Sequence, residues 1–145
     1  MKQQILALIT VVILSAASPP DEDNIKKDLE QMQGDWAAVS YVRDGQRLPD
    51  DDAQALFRTV KGDQYTVYQY RKPIGQGTLK LDAAAKPKTI DAFPKGQTKA
   101  MLGIYEIDGK VLKLCFAPAG KDRPMDFSAK EGSGHAFTVW EREKK

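Results

Sequence analysis

The stretch Met101-Leu-Gly-Ile-Tyr-Glu-Ile-Asp-Gly-Lys-Val-Leu-Lys-Leu-Cys-Phe116 carries the strongest local structural signal in this chain of 145 residues. Two runs of β-favouring residues flank the dipeptide Asp108-Gly109, which suits the tight turn of a two-residue hairpin. The sequence therefore predicts two antiparallel strands, residues 101–107 and 110–116, joined at this turn.

Shorter runs of the same kind surround this hairpin and predict further strands. They cover residues 36–42, 57–60, 65–70, 77–81, 88–93 and 136–142. Helical spacing appears only early, in residues 23–32, and acidic residues at 50–52 predict a second short helix leading into residues 53–57. About eight short strands with mostly hairpin-length connections predict an all-β fold, an antiparallel up-and-down barrel with short N-terminal helical segments.

The N-terminal residues have the layout of a cleavable secretory signal. Lys2 precedes an apolar run over residues 5–14, and small residues follow at 15–17. The apolar run is shorter than the roughly 20 residues that a membrane-spanning helix needs. We therefore expect a signal peptide at 1–17, an N-terminal segment with a short helix at 18–33, and a barrel domain at 34–145. The protein is expected to be exported to the periplasm or the extracellular space, with no membrane span after cleavage.

Composition excludes several functional classes. The formal net charge is +2, and acidic and basic residues are interspersed, so the sequence carries no electrostatic pattern for nucleic acid. His135 is the only histidine, which excludes a multi-histidine metal site. We find no cofactor motif and expect neither a cofactor nor a bound metal.

Cys115 is the only cysteine, and it raises the question of thiol chemistry. The last two strands of a meander are neighbours, so Cys115 could approach His135 and form a nucleophile–base pair. Apolar residues flank Cys115, however, and nothing near it indicates a lowered pKa. Strand alternation places it on the face opposite Leu114 and Phe116. We expect a packing residue and no enzyme activity, and leave open an outward thiol that links two chains.

A series of short motifs runs through nearly the whole chain after residue 17. The series includes Gly34-x-Trp36, Asp44-Gly45, Gly103-Ile-Tyr-Glu, Asp108-Gly109, Leu112-x-Leu-Cys-Phe-Ala117 and Arg123-Pro124. It resembles an uncharacterised domain family that is expanded in planctomycete bacteria. That resemblance implies a lipocalin-like barrel and no assigned activity. The residues that carry the signature are Gly34, Trp36, Gly103, Tyr105, Asp108, Gly109, Cys115, Arg123, Pro124 and Arg142.

A broader resemblance to lipocalins rests on Gly34-x-Trp36 in the first strand and Arg142 at the end of the last strand. In barrels of that superfamily such an arginine packs over the tryptophan and closes the bottom of the barrel, through a cation–π contact and hydrogen bonds. The resemblance therefore implies that Arg142 lies over Trp36.

The interior of such a barrel decides its function, because eight strands are just wide enough to be filled by side chains or to hold one small ligand. The residues expected to face the interior or line a pocket are Trp36, Ala38, Ser40, Gly77, Leu79, Leu112, Leu114 and Phe116. The large ones favour a filled barrel, and the small ones would leave room. We predict an exported lipocalin-like binding protein for a small apolar or amphipathic molecule. The alternatives are a structural or protein-interaction module with a filled barrel and, third, a thiol-dependent enzyme.

Overall fold

A computed structural model describes residues 20–143 of the chain, and the predicted signal peptide at 1–17 lies outside the described residues. Within this range the helices are α1 (Pro20–Met32) and α2 (Asp50–Gln54). The strands are β1 (Gly34–Arg43), β2 (Gln46–Arg47), β3 (Leu56–Lys61), β4 (Gln64–Gln69), β5 (Lys72–Asp82), β6 (Thr89–Pro94), β7 (Met101–Ile107), β8 (Val111–Phe116) and β9 (Ala136–Arg142).

The strands form one antiparallel sheet that closes on itself. Strands β3 to β9 pair in chain order, β3 pairs with β1, and β9 pairs back onto β1. The two-residue β2 pairs antiparallel with the last two residues of β1 and is not one of the eight barrel strands. The predicted fold is therefore confirmed as a closed eight-stranded up-and-down barrel with an N-terminal helix and lipocalin-like topology. Closure gives each of the eight barrel strands a hydrogen-bonded neighbour on both sides.

The predicted central hairpin is present as β7 and β8. Tyr105 pairs with Leu114, and Ile107 pairs with Leu112. The Asp108 carboxylate accepts a 2.9 Å hydrogen bond from the backbone N–H of Val111, which stabilises the turn. The local signal of the Asp-Gly turn thus sets the register of these two strands.

The two helices differ in length from the prediction. α1 begins at residue 20 rather than 23, with three acidic side chains in its first turn, where the helix dipole favours negative charge. α2 ends at Gln54, so the expected helix through residues 53–57 is wrong beyond that point. Leu56, Arg58 and Val60 are buried alternately in β3, because from residue 56 onward the chain follows the period-two pattern of a strand.

α1 covers one end of the barrel, which we call the closed end. Ile25 and Leu29 pack against the barrel core, and Met32 belongs to that core. The Trp36 Nε1–H donates a 2.9 Å hydrogen bond to the carbonyl of Met32. The Gln33 side chain bonds both the N–H and the carbonyl of Gly62 in the β3–β4 turn. The helix and the strand turns at this end are therefore joined by packing and by hydrogen bonds.

Arg142 completes the closed end. Its Cζ lies 4.3 Å from the ring centroid of Trp36, the arrangement that the lipocalin resemblance implies. The guanidinium donates to the carbonyls of Gly109 at 3.0 Å and Gln33 at 2.7 Å, and to that of Gln31. Gly34 has φ 105°, a backbone conformation that suits glycine, and a Cβ there would lie 3.3 Å from the Arg142 guanidinium.

The connection between β8 and β9, residues 117–135, lies on the outer face of the barrel, and we call it the outer strap. It is held to the β1–β2 turn by backbone bonds from Asp44 N–H to the carbonyl of His135 and from Gly45 N–H to that of Ala129. The Phe127 ring packs on Phe137, with 5.9 Å between centroids. The outer strap therefore shields part of the outer face that would otherwise meet solvent.

Within residues 20–143, neither helix is long and apolar enough to cross a membrane.

Candidate binding cavity

The half of the barrel opposite α1 encloses a cavity of about 480 Å³. The part of its wall nearest the closed end includes Leu114 and Trp140, which also belong to the buried core. Its rim includes Arg43 and Phe116, at the strand ends far from α1. Ile74, also part of the wall, is 58% exposed, so the cavity opens toward solvent at this end. The volume lies in the range usual for small-molecule pockets.

The residues predicted for the interior divide between the core and the cavity. Leu114 and Phe116 line the cavity. The core of the barrel contains Trp36, Ala38, Leu79 and Leu112, none of them more than 7% exposed. The two possibilities that the sequence left open thus apply to different halves of the same barrel, because one half is filled and the other is hollow.

Of the residues predicted for the interior, Ser40 and Gly77 are neither part of the buried core nor part of the cavity wall. The pairing of β1 with β9 shifts register between Ala38 and Ser40, which marks a β-bulge. Beyond this bulge Tyr41, not Ser40, lines the cavity, because one extra residue reverses the alternation of side chains. Gly77 is half-buried and pairs with Tyr65, and a Cβ there would lie only 2.2 Å from the carbonyl oxygen of Phe93.

Arg58 is the most unusual residue of the cavity wall. It lies in β3 directly across from Trp36 of β1, and it is only 5% exposed. Its Cζ stacks 4.8 Å from the ring centroid of Tyr65. Nε and Nη2 of this guanidinium are buried and have no hydrogen-bond partner among the described residues. Buried arginines are normally paired, so this one is an exception that calls for a physical explanation.

Electrostatics around Arg58 favours a negative partner. Burial lowers the pKa of Arg58 to about 10, so the side chain keeps its positive charge at neutral pH. The second charged residue of the cavity wall is Arg43 at the rim, and no aspartate or glutamate within residues 20–143 lines the cavity. The positive charge of the wall is therefore not compensated by the wall itself.

Trp140 adds a third buried donor to the same cavity. Its Nε1–H is buried without a hydrogen-bond partner in the described part of the chain. All three unsatisfied atoms in the wall are N–H groups, which can only donate. The cavity thus combines apolar surface with donors that lack acceptors.

The sequence contained a signal for Arg58 that the interior prediction missed. In the pattern Leu56-x-Arg58-x-Val60, strand alternation places the arginine on the same face as two apolar residues. A charged residue on the apolar face of a strand indicates either a buried ion pair or a polar site. The three-dimensional structure is needed to distinguish the two, since a partner could come from any other strand.

Cys115 lies on the outer face of the barrel and is nonetheless buried, at 0% exposure. The outer strap covers it, and its Sγ–H donates a 3.3 Å hydrogen bond to the carbonyl of Ser128. Burial raises the pKa of the Cys115 thiol to about 11, which leaves almost no thiolate at neutral pH. His135 bonds through its backbone N–H to the Ser133 hydroxyl and through its carbonyl to Asp44. The thiol is thus held in a packing position beneath the strap.

Two of the other signature residues, Arg123 and Tyr105, hold the strap and α1 to the barrel. Arg123 donates a 2.8 Å hydrogen bond to the carbonyl of Gly103 and forms a 2.8 Å ion pair with Asp91. The Tyr105 hydroxyl donates to Asp28 of α1 at 2.7 Å. Pro124, which follows Arg123 in the chain, is buried within the strap. Arg123, Pro124 and Tyr105 are thus structural residues that do not line the cavity.

In residues 20–143, no group of three or more His, Cys, Asp or Glu side chains is arranged to hold a metal ion.

A more open groove of about 620 Å³ lies beside the cavity mouth, is lined by residues that include Arg47 and Pro49, and shares Tyr41, Arg43 and Leu48 with the cavity. The rim of the cavity therefore continues onto the β1–β2 turn.

The fold and the site together define a lipocalin-like β-barrel that is filled at one end and hollow at the other, an architecture compatible with ligand binding. Comparison of this chain with known proteins found no matching family model, no matching curated protein and no matching solved structure. The resemblance to the planctomycete family stays a prediction from the sequence motifs.

Proposed function

We propose that this protein is an exported binding protein that holds one small apolar or amphipathic molecule inside its barrel. The observation that supports this proposal is the cavity of about 480 Å³ in the open half, bounded by apolar side chains such as Leu114, Phe116 and Met101. Apolar concave sites with a few polar groups are the usual form of small-molecule pockets.

The difference between the two barrel halves supports binding over a purely structural role. The closed half already contains the large side chains that stabilise the fold, including Trp36, Leu112 and Tyr105, each 1% exposed or less. A barrel that served only as a scaffold would gain stability from filling its other half as well, because empty apolar space forfeits packing energy. A hollow half is therefore a cost that ligand binding explains.

Export is the second part of the proposal. It rests on the charged, apolar and small-residue segments of residues 1–17. N-terminal sequencing of the protein recovered from its native cells should give Ser18 as the first residue. A protein that retains Met1 and stays with the cytoplasmic fraction would contradict export without affecting the binding proposal.

Native mass spectrometry of the protein purified from its own cells, without reducing agent, tests the binding proposal. We expect a monomer with additional non-covalent mass. The variant Ala136→Trp places a large ring at the cavity rim, where Ala136 pairs with Arg43 and Phe116, and it should lose that mass. The matched control Ala119→Trp adds the same ring at an exposed position of the outer strap and should retain it.

Two outcomes would contradict the binding proposal. One is a bare monomer for the wild type under conditions that preserve other non-covalent complexes. The other is identical additional mass in the wild type and in a folded Ala136→Trp variant, since the molecule would then be bound outside the cavity. A doubled mass that is lost on reduction would indicate a link through Cys115 and would contradict the buried position of that thiol.

A further inference from the structure

We propose that the ligand is an organic carboxylate with an apolar body, and that Arg58 binds its carboxylate at the inner end of the cavity. This inference rests on the proposed function and adds the chemical class of the ligand and its orientation. It is carried by the burial of Arg58, by its unpartnered N–H groups and by the charge of the cavity wall.

A comparison between two arginines of the same barrel shows what is unusual about Arg58. Arg142 also stacks on an aromatic ring, and its Nε, Nη1 and Nη2 all donate to backbone carbonyls. Arg58 stacks on Tyr65 in the same way, but its Nε and Nη2 are buried and donate to nothing within residues 20–143. Arg142 therefore has the contacts of a structural arginine, whereas Arg58 has those of a binding residue that needs an acceptor.

The unsatisfied groups of the cavity determine which ligand chemistry fits. Arg58 and Trp140 have N–H donors that find no acceptor within residues 20–143, so a ligand that brings acceptor atoms would complement this part of the wall. A carboxylate supplies two acceptor oxygens in one plane, which matches the planar fork of a guanidinium. One buried positive charge balances the single charge of a carboxylate better than the charge of about −1.5 to −2 of a phosphate monoester.

The position of Arg58 also sets the orientation of the ligand. Arg58 lies across from Trp36 and next to the filled half, while Ile74, Met101 and Phe116 form apolar parts of the outer wall. The carboxylate would enter first, and the apolar body would remain between the guanidinium and the mouth. Arg43 at the rim would attract an anion toward the opening.

Isothermal titration of the purified protein with octanoate and with 1-octanol tests this inference, because the two probes share a chain length and differ only in the head group. We expect the wild type to bind octanoate at least about 10-fold more tightly, as hydrogen bonds to a buried charge require. Arg58→Met should reduce this ratio to near 1 with little change in octanol affinity. The control Lys80→Met removes a positive charge from an exposed residue of β5 and should preserve the ratio.

Thermal unfolding without ligand distinguishes a binding role of Arg58 from a structural one. A structural arginine would lower the melting temperature when replaced, whereas a binding arginine without a partner would not. Removing an unpaired buried charge in favour of an apolar side chain of similar length is expected to maintain or raise the melting temperature of Arg58→Met. Should Arg58→Met fail to fold, Arg58→Gln removes the charge while keeping a polar side chain, and it should lose the preference for octanoate in the same way.

The outcomes separate this inference from the proposed function. Equal binding of octanoate and octanol by the wild type, or a preference that persists in a folded Arg58→Met or Arg58→Gln variant, overturns the carboxylate inference and leaves the binding proposal intact. Tighter binding of octyl phosphate than of octanoate overturns the carboxylate class. A lower melting temperature of Arg58→Met with parallel loss of both probes assigns Arg58 a structural role. Binding of neither probe by the wild type overturns the carboxylate inference for this chain length, and native mass spectrometry then decides the proposed function separately.

Discussion

The hydroxyl of Tyr105 in β7 donates a 2.7 Å hydrogen bond to the carboxylate of Asp28 in α1, although 77 residues separate them along the chain. The same carboxylate oxygen accepts a 2.8 Å bond from the ammonium of Lys88. Asp28 is 5% exposed, and burial together with Asp28 raises the pKa of Tyr105. One carboxylate thus ties the N-terminal helix to the closed end of the barrel.

This anchor predicts a specific pattern in a double-mutant cycle. Asp28→Ala should lower the free energy of unfolding by about 2 to 3 kcal/mol, because it leaves the buried Tyr105 hydroxyl without an acceptor. The double variant Asp28→Ala with Tyr105→Phe should be less destabilised than the sum of its single variants, since the stranded hydroxyl is gone. Urea denaturation measures all three. Strictly additive effects would contradict the proposed coupling between α1 and β7.

Arg142 at the closed end is expected to contribute more than an ordinary surface arginine. Arg142→Ala should cost about 2 to 3 kcal/mol in urea denaturation, because it removes the contact with the Trp36 ring and three bonds to backbone carbonyls. Lys80→Ala, at an exposed position of β5, is the control and should change stability by less than about 0.5 kcal/mol. Similar effects of the two substitutions would show that the ring contact contributes little.

Cys115 should make stability depend on alkaline pH. Its pKa is raised to about 11 by burial, so its contribution is complete below the unfolded pKa near 9 and is lost as pH rises through 11. The stability advantage of the wild type over Cys115→Ala should therefore shrink by about 2 kcal/mol between pH 8 and pH 10.5. Chemical denaturation at both pH values measures this difference. A difference that is independent of pH would mean that the thiol ionises freely in the folded protein.

Gly103 and Gly75 offer a matched pair within the barrel wall. A Cβ at Gly103 would lie 2.6 Å from the Phe116 ring and 2.7 Å from the carbonyl oxygen of Cys115, whereas a Cβ at Gly75 meets nothing within 4 Å. Gly103→Ala should cost about 2 to 3 kcal/mol, as overpacking of a rigid core does. Gly75→Ala should be neutral or stabilising by up to about 1 kcal/mol. Thermal unfolding of both variants measures the contrast, and equal effects would contradict the close packing at Gly103.

The fold could be predicted from the sequence because its determinants are local. These determinants are the alternation of apolar residues, the turn at Asp108-Gly109 and the helical spacing of Ile25, Leu29 and Met32. Each acts over a few residues, so each is recognisable in the sequence. Strand count and hairpin-length connections then leave few arrangements other than an up-and-down barrel. The sequence predicts too long a second helix because the start signal of that helix is local, whereas its end depends on the pairing of β3 with β1 and β4.

The candidate site was only partly predictable, since its properties depend on residues far apart in the chain. The bulge after Ala38 brings Tyr41 rather than Ser40 into the cavity wall, and it is defined by pairing with β9. Sequence alternation placed Cys115 outside the barrel, and the outer strap decides that it is buried there. Neither fact can be read from neighbouring residues.

By itself the sequence determined that this chain forms an antiparallel barrel, because side-chain alternation and turn chemistry are short-range properties of the backbone. Only the tertiary structure decided that one half of the barrel is filled and the other is hollow, and that Arg58 enters the hollow half without an acceptor. Cavities and unsatisfied donors result from what all eight barrel strands bring to one place, and burial makes an unpartnered charge costly enough to indicate a ligand.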